Sequence, residues 1–126
     1  MINGILAFAA YLATAVALLV AFVWIYVRFT PYREFELIAH DNNAVAVTLA
    51  GAVLGFTFPM VSSIYYTQSL PEMIVWAALT GLVQLAVFVA LRRQARRIEE
   101  GHLASGIMVA TFSVAVGLLN AVSISH

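Results

Sequence analysis

Four uncharged polar side chains inside long apolar stretches are the residues best suited to chemistry in this sequence. Gln84 and Asn120 carry amides, and Thr57 and Ser62 carry hydroxyls on either side of Pro59. In a low-dielectric setting such groups need hydrogen-bond partners, which neighbouring helices commonly supply. The pattern predicts interhelical hydrogen bonds, with a path for an ion or small polar solute as the alternative. No charged residue or histidine lies deep inside an apolar stretch, which counts against a proton-relay pump.

A second group of residues has the side chains that bind divalent metals. It comprises His40, Asp41, Glu99, Glu100 and His102, which precede two of the apolar stretches. Imidazole and carboxylate groups ligate zinc and other metals, but charged residues also commonly cap helix starts, and the spacing demands no metal. We therefore predict no metal site and no cofactor. The absence of HExxH, GxSxG and phosphate-loop motifs predicts that the protein is not an enzyme.

Composition gives the class of protein that must position these residues. The chain has 126 residues, of which 63% are hydrophobic and 10% are charged, whereas soluble domains have about 45–50% and about 25%. So short a soluble chain could not bury that much apolar surface. The formal net charge is zero, which gives no reason to expect nucleic-acid binding. The absence of cysteine excludes disulfides and thiolate metal sites. These features indicate an integral membrane protein.

Four apolar runs reach the roughly 20 residues that a helix needs to cross a bilayer. They cover residues 5–27, 44–68, 72–91 and 103–124. None alternates between apolar and polar residues, as membrane β-strands do, so all four are predicted to be helices. The first run has no basic segment before it, and its apolar core exceeds the about 7–15 residues of a signal peptide. We expect it to be retained as a span.

The distribution of arginine predicts the orientation. All six basic residues are arginines in the first and third connections: Arg28, Arg33, Arg92, Arg93, Arg96 and Arg97. The positive-inside rule then predicts cytoplasmic connections and external termini. The cluster from Arg92 to Arg97 is expected to contact anionic lipid headgroups or to dock a cytosolic partner. Glu36, Asn42 and Asn43 are predicted to belong to the same contact face.

The first connection, "TPYREFELIAHDNN", is predicted to form a short amphipathic helix at the membrane interface. Thr30 and Pro31 are typical of a helix start. Helical spacing puts four residues on one apolar face, namely Tyr32, Phe35, Ile38 and Ala39. Arg33, Glu34 and His40 fall elsewhere, which suits an interfacial helix. Asp41, Asn42 and Asn43 then offer caps for the second span.

Small residues four apart predict close contacts between helices. The predicted packing seam comprises Gly51, Gly55, Pro59, Gly106, Ala110 and Gly117. A further ridge lies on the first span, at Ala9, Ala13, Ala17 and Ala21. Pro59 is expected to kink the second span, with a re-entrant loop as an alternative. A flexible or pore-lining face is the alternative to simple packing.

The chain also has a weak internal repeat, with halves at residues 1–68 and 69–126. In each half a polar, acidic approach leads into a run that starts with small residues and has glycine near its middle, at an offset of about 59–60 residues. Because each half crosses twice, both halves start with the same orientation, which predicts a parallel duplication. The expected fold is therefore an all-α membrane protein in which four spans form two parallel-related helix pairs, with the interfacial helix in the first connection.

Four segments carry a resemblance to a known family: "TPYREFELI", "NNAVAVTLAGAVLGFTFPM", "QLAVF" and "GLLNA". With them the chain resembles, over nearly its full length, the domain-of-unknown-function 350 proteins, a family of small bacterial inner-membrane proteins. Gln84 and Asn120 match positions associated with that family, whereas His102-Leu103 stands where an Asn-Thr-like start is typical. The resemblance implies a four-helix inner-membrane protein with a duplicated helix pair. It implies no settled activity.

Two functions fit these observations. The first is a homo-oligomeric membrane scaffold or accessory subunit that recruits partners through its arginine-rich cytoplasmic face. The alternative is a small oligomeric channel or transporter, with a path lined by the second span, Gln84 and Asn120. The lack of buried charges and the short external connection favour the scaffold.

Overall fold

The computed structural model describes residues 2–67 and 69–124, and every regular element within them is helical. In chain order the helices are α1 (Ile2–Phe29), α2 (Glu34–Ala39), α3 (Asn43–Thr67), α4 (Leu70–Ala90), α5 (Ala95–Glu99) and α6 (Leu103–Ile124), with a 3-10 turn at Arg92–Gln94. Four of them, α1, α3, α4 and α6, are long and apolar enough to cross a membrane. The predicted all-α class is therefore confirmed for the described residues, and four helices have the length and hydropathy expected of the predicted spans. Gln68, the last residue of the second predicted span, lies outside the described residues.

The centre of the bundle is α3. In its most apolar stretch 56% of the residues are buried, against 6% in α1. Its most extensive contact is with α6, while α4 packs against both α3 and α6, and α1 packs against α3 and α4. Stacked rings join α1 to α3, with the centroids of Phe22 and Phe56 4.4 Å apart. The small, glycine-bearing faces of α3 and α6 explain why these two helices form the central pair.

Helix α3 runs through Pro59 without interruption, so the re-entrant alternative is wrong. Proline has no N–H, which leaves the carbonyl of Gly55 without its usual partner four residues later. Two residues earlier in the helix, Thr57 donates its hydroxyl to the Val53 carbonyl at 2.7 Å. In membranes, neighbouring helices and local hydroxyls make such a proline tolerable.

The two short helices at the arginine-bearing end finish in the same way. Asp41, which follows α2, has a φ of +64°, and Gly101, which follows α5, has a φ of +91°. Asn42 N–H donates to the Leu37 carbonyl at 2.9 Å, and His102 N–H donates to the Arg97 carbonyl at 2.9 Å. Both ends are Schellman motifs, in which a left-handed residue turns the chain out of a helix. Each motif leads directly into a long central helix, α3 or α6.

The first connection folds differently from its prediction. Helix α2 begins at Glu34 rather than near Pro31, so Tyr32 does not belong to its helical face. Glu34, expected off the apolar face, is buried with 2% exposure, whereas Phe35, expected on it, is 61% exposed. The error arose because the three residues after Thr30 are not helical, and the predicted period was counted through them.

The alanine ridge of α1 faces away from the bundle. Ala9, Ala13, Ala17 and Ala21 are all exposed, while the buried residues of α1 are Phe22 and Tyr26. Packing of this ridge within one chain is therefore wrong. Its small residues remain accessible to lipid or to another protein.

Candidate functional site

Helices α3 and α6 approach closely at the predicted seam. A Cβ atom added to Gly51 would overlap the backbone of Ala110, and one added to Gly117 would overlap that of Gly55. A Cβ on Gly106 would come within 2.5 Å of the Ala44 carbonyl oxygen. Five of the six predicted seam residues thus lie in one interface. The sixth, Pro59, is buried in α3.

Gln84 of α4 reaches into this interface. Its side chain is 1% exposed, and its Nε2 donates to the Ser113 carbonyl of α6 at 3.0 Å. The amide passes directly over Gly55, where an added Cβ would come within 2.5 Å of Nε2. Its Oε1 has no hydrogen-bond partner among the described residues. One amide therefore contacts all three of α3, α4 and α6.

The other predicted polar residues also have partners. Asn120 Nδ2 donates to the Thr80 hydroxyl at 3.3 Å, which joins α6 to α4. Ser62 donates its hydroxyl to the Ala121 carbonyl at 2.6 Å, which joins α3 to α6. These bonds are of the kind that neighbouring membrane helices use to satisfy buried polar groups. These polar side chains therefore join helices within one chain. A path for a solute through one chain would instead need polar side chains that are free to contact the solute.

Asn42 connects the two halves of the arginine-bearing end. Its Oδ1 accepts from the Val45 backbone N–H at 3.1 Å, which caps α3. Its Nδ2 donates to the Glu99 carbonyl of α5 at 2.9 Å. The Asn42 side chain therefore makes its hydrogen bonds within the chain, whereas Asn43, the first residue of α3, is exposed.

The segment from Arg92 to Glu99, which we call the arginine platform, is an ordered structure. Ala95 is 6% exposed and Ile98 is fully buried. All four of its arginines, Arg92, Arg93, Arg96 and Arg97, are exposed. The platform therefore fixes its backbone against the bundle and presents four cationic side chains outward.

The charges around the platform are only lightly paired. Arg96 lies 3.6 Å from the Glu100 carboxylate and Arg33 lies 3.4 Å from that of Glu36, with side chains that are mostly exposed. Such surface pairs contribute about 0–1 kcal/mol. Arg97 Nε donates to the Ser105 hydroxyl at 3.1 Å. Most of the positive charge of the platform is therefore exposed and unpaired by a strong ion pair among the described residues.

The candidate metal ligands do not gather into one site. His102 Nε2 lies 3.8 Å from Glu100 Oε1, but the described residues contain no group of three or more His, Asp or Glu side chains arranged to hold a metal. The pairing of His102 with Glu100 is local to the turn between α5 and α6.

Sequence reasoning missed a buried carboxyl group at the same end. The Thr30 hydroxyl donates a hydrogen bond to Glu34 Oε2 at 2.6 Å. Glu34 Oε1 and the phenol oxygens of Tyr26 and Tyr32 are buried without partners among the described residues. Burial raises the pKa of Glu34, although the Thr30 hydrogen bond offsets part of that rise. Burial likewise raises the pKa of Tyr32, with the Glu34 charge adding to the effect.

One signal for this cluster was present in the sequence. Thr30 and Glu34 are four residues apart and separated by Pro31 and an aromatic residue. A hydroxyl and a carboxyl this close along a tight turn can bond each other rather than the backbone. Hydropathy alone does not reveal the burial, because it treats every carboxylate as exposed.

The comparisons agree with this architecture. The family model described as Domain of Unknown Function (DUF350) matches residues 1–124. The inner membrane protein YjfL of Escherichia coli K12 is 31% identical over 124 residues, covering 95% of this chain and 94% of that protein. The transmembrane protein YshE of Bacillus subtilis is 32% identical over 123 residues, covering 92% of this chain and 90% of that protein.

No solved structure matches the chain significantly. The family match over nearly the whole length and the two similar relatives, with four membrane-spanning helices, indicate a multi-pass inner-membrane protein. The chain belongs to the DUF350 family.

Proposed function

We propose that the protein is a homo-oligomeric membrane scaffold or accessory subunit, and that its arginine platform recruits an acidic partner protein at the cytoplasmic face. The observation that carries this proposal is that the platform has an ordered structure. Four exposed arginines stand on a backbone anchored by the buried Ile98 and by the Asn42 to Glu99 hydrogen bond. An ordered binding surface loses less conformational entropy when it binds than a flexible loop does.

The arginine-bearing end is proposed to face the cytoplasm, with both termini outside. The first and third connections lie at one end of the bundle, where Asn42 meets Glu99. All six basic residues of the chain lie at or near these two connections, which is the bias that sets orientation. Helix α2, with its exposed Phe35, then lies at the cytoplasmic membrane interface.

Two exposed surfaces support self-association. The alanine ridge of α1 is the first. The second is a shallow groove of about 470 Å³ on the outer side of α3 and α6, whose small residues include Ala50, Gly51, Ala110 and Ala115. Small residues let backbones approach in lipid, so the ridge of one copy is a suitable occupant for the groove of the next. Ala17 and Ala115 lie at similar distances along their helices from the arginine-bearing end.

A duplicated helix pair is proposed as the origin of this fold. Support comes from the two Schellman motifs, in which Leu37, Asp41 and Asn42 correspond to Arg97, Gly101 and His102 at an offset of 60 residues. In both halves a short helix ends in this motif and leads into a central helix. The symmetry is parallel, since both motifs lie at the same end of the bundle.

The channel alternative has less support from one chain. The glycine seam leaves no room for a side chain between α3 and α6, and Gln84 and Asn120 make hydrogen bonds between helices. A path would therefore have to run between copies. The groove on α3 and α6 is lined mostly by apolar residues, which suits helix packing better than solute passage.

The recruiting role can be tested by photo-crosslinking in native membranes. A photoreactive residue at position 93 is expected to give a discrete protein adduct. High salt should reduce the yield of this adduct, and removal of the other charges by Arg92→Gln, Arg96→Gln and Arg97→Gln should abolish it. The matched control is the same probe at position 33, on another exposed arginine. Adducts with lipid alone, or a protein adduct that persists after charge removal, contradict the proposal.

Self-association can be tested separately, because the chain has no native cysteine. Ala17→Cys combined with Ala115→Cys is expected to give disulfide-linked dimers in membranes. Ala17→Cys combined with Phe112→Cys is the control, since Phe112 is 51% exposed but does not line the groove. Equal crosslinking in both pairs, or none in the first, contradicts seating of the ridge in the groove.

A further inference from the structure

The buried carboxyl group of Glu34 is the ionisable group that the scaffold role does not use. It lies just after the end of α1 and is hydrogen-bonded to Thr30. The Glu34 residue is 2% exposed. Tyr26 of α1 and Tyr32 of the connection both pack against Phe88 at the end of α4, with centroid distances of 5.9 and 6.4 Å. The two phenol oxygens and Glu34 Oε1 are buried without partners among the described residues. Burial, and then the Glu34 charge, raises the pKa of the Tyr32 phenol. The Glu34 carboxyl is thus buried at the same end of the bundle as this aromatic group.

No positive charge compensates this carboxyl. Within the described residues Glu34 forms no ion pair, since Arg33 pairs with Glu36 instead. The Arg28 guanidinium lies over the Trp24 ring, 4.5 Å from its centroid. An ionised carboxylate that is buried and unpaired has a high free energy, and such a group takes up a proton instead.

The hydrogen bonds around Thr30 also accommodate a protonated acid. Its Oγ1 lies 2.6 Å from Glu34 Oε2, 3.2 Å from the Val27 carbonyl oxygen and 3.4 Å from the Tyr32 carbonyl oxygen. A hydroxyl has one hydrogen to donate. If Glu34 is ionised, that hydrogen goes to the carboxylate and neither carbonyl receives it. If Glu34 is protonated, the acid donates to Oγ1 and Oγ1 donates to a carbonyl, so both short contacts are hydrogen bonds.

The other ionisable groups near this end supply no cation that pairs with Glu34 among the described residues. Glu99 of α5 contributes a negative charge that helps to raise the pKa of the Tyr32 phenol. Helices α3, α4 and α6 bring no charged residue to this end, because the acidic Glu72 and the phenols Tyr65 and Tyr66 lie at the other end of the bundle. Arg33, just before α2, and Glu36 on α2 form an ion pair at the surface.

We propose that Glu34 is a proton-binding site that locks the first connection to the bundle in its protonated form and releases it on ionisation. The step is a simple acid dissociation, in which the proton leaves a Glu34 carboxyl oxygen for bulk water at the arginine-bearing end. The resulting charge then draws Glu34 towards water, and the segment from Thr30 to Glu34 leaves its apolar seat. Because α2 follows directly, its position depends on pH.

The sign of the effect on stability follows from the direction of the shift. Burial raises the pKa of Glu34 in the folded state, so the folded protein keeps a proton that the unfolded chain has already lost. The contribution of Glu34 to stability is complete below the ordinary carboxyl pKa, falls as the pH rises above it, and is lost once the pH passes the raised pKa.

Infrared spectroscopy of the purified full-length protein in nanodiscs tests the proposal directly. The expected result is a protonated-carboxyl C=O band that titrates at a higher pH than an ordinary glutamate and is absent from Glu34→Gln. Glu36→Gln is the control, since Glu36 is an exposed carboxylate on the same helix, and it should keep the band. The proposal is overturned if every protonated-carboxyl band of the wild-type protein titrates at the ordinary glutamate value, and that measurement needs no variant to fold.

Thermal unfolding across pH provides the second readout. Glu34→Gln, which mimics the protonated acid, should match the wild type at acidic pH and exceed its melting temperature at alkaline pH. A variant that is less stable at every pH would mean that the native group is a charged ligand, and would overturn the proposal. The proposal would also be overturned if Na⁺ raised the melting temperature of the wild type relative to choline and did not do so for Glu34→Gln. A metal ion would then occupy the site in place of a proton.

Discussion

Gly55 leaves open the space through which the Gln84 side-chain amide reaches the Ser113 carbonyl, 3.0 Å away. A Cβ at position 55 would meet Gln84 Nε2 at 2.5 Å and would overlap the Ser113 carbonyl oxygen. One missing side chain thus permits both the contact of α3 with α6 and the hydrogen bond from α4. The relationship explains why a glycine that weakens soluble helices is useful in the middle of a membrane span.

Gly55→Ala should therefore destabilise the protein, by about 1–3 kcal/mol as is usual for overpacking. Denaturant unfolding in detergent micelles measures the change. Gly81→Ala is a matched control, because its added Cβ would meet only Phe22 and Phe56 side chains at 3.6 and 4.0 Å. Gly4→Ala adds a Cβ in open space. Equal effects of the three substitutions would show that the seam is not closely packed.

The hydrogen bond between Asn120 and Thr80 should contribute modestly to the contact of α6 with α4. A double-mutant cycle with Asn120→Ala and Thr80→Ala is expected to give a coupling free energy of about 0.6 kcal/mol, the average for such bonds in membranes. Asn120→Ala combined with Thr111→Ala is the control cycle, since Thr111 donates its hydroxyl within α6. A coupling of zero for the first pair would contradict the bond.

Asn42→Ala should lower the free energy of unfolding by about 1–2 kcal/mol, because it removes both the cap of α3 and the hydrogen bond to the Glu99 carbonyl. Asn42→Asp separates the two roles, since it keeps the capping oxygen and loses the donor to Glu99. Its effect should appear as faster amide hydrogen exchange in α5 with α3 unchanged. Asn43→Ala, at an exposed position, should leave both helices unaffected. If the amide hydrogens of α5 still exchange slowly in Asn42→Ala, then other contacts keep the platform ordered.

The proposed orientation predicts a clear labelling pattern in this cysteine-free chain. Glu72→Cys, exposed at the start of α4, should react with a membrane-impermeant maleimide in spheroplasts. Glu36→Cys, exposed on α2, should react only after the membrane is permeabilised. The opposite pattern would mean that the arginine platform faces outward.

The membrane spans could be predicted from sequence because lipid imposes a length and a hydropathy that few other segments satisfy. Helix α6 starts at Leu103, the residue at which the fourth span was predicted to begin. The small residues of α3 and α6 were likewise recognisable. Which helix pairs with which was not, because lipid favours no particular pairing of apolar faces. The α1 ridge shows this, since its alanines resemble the seam yet face away from the bundle.

The Glu34 site could not be predicted by periodicity. Helical counting assumes a continuous helix, and the chain between Thr30 and Glu34 is not helical. Glu34 is buried in a connection that folds back onto the bundle, where Tyr32 packs against Phe88 of α4. Such a site depends on tertiary structure, which single-sequence patterns do not contain.

Ion flux across liposomes that contain the purified protein tests most directly whether it is a scaffold or a channel. The scaffold account predicts no flux of Na⁺, K⁺, H⁺ or Cl⁻ above that of protein-free liposomes, both for the wild type and for Gln84→Leu. A selective flux in the wild type that Gln84→Leu abolishes would contradict it, because Gln84 would then border a path rather than join helices.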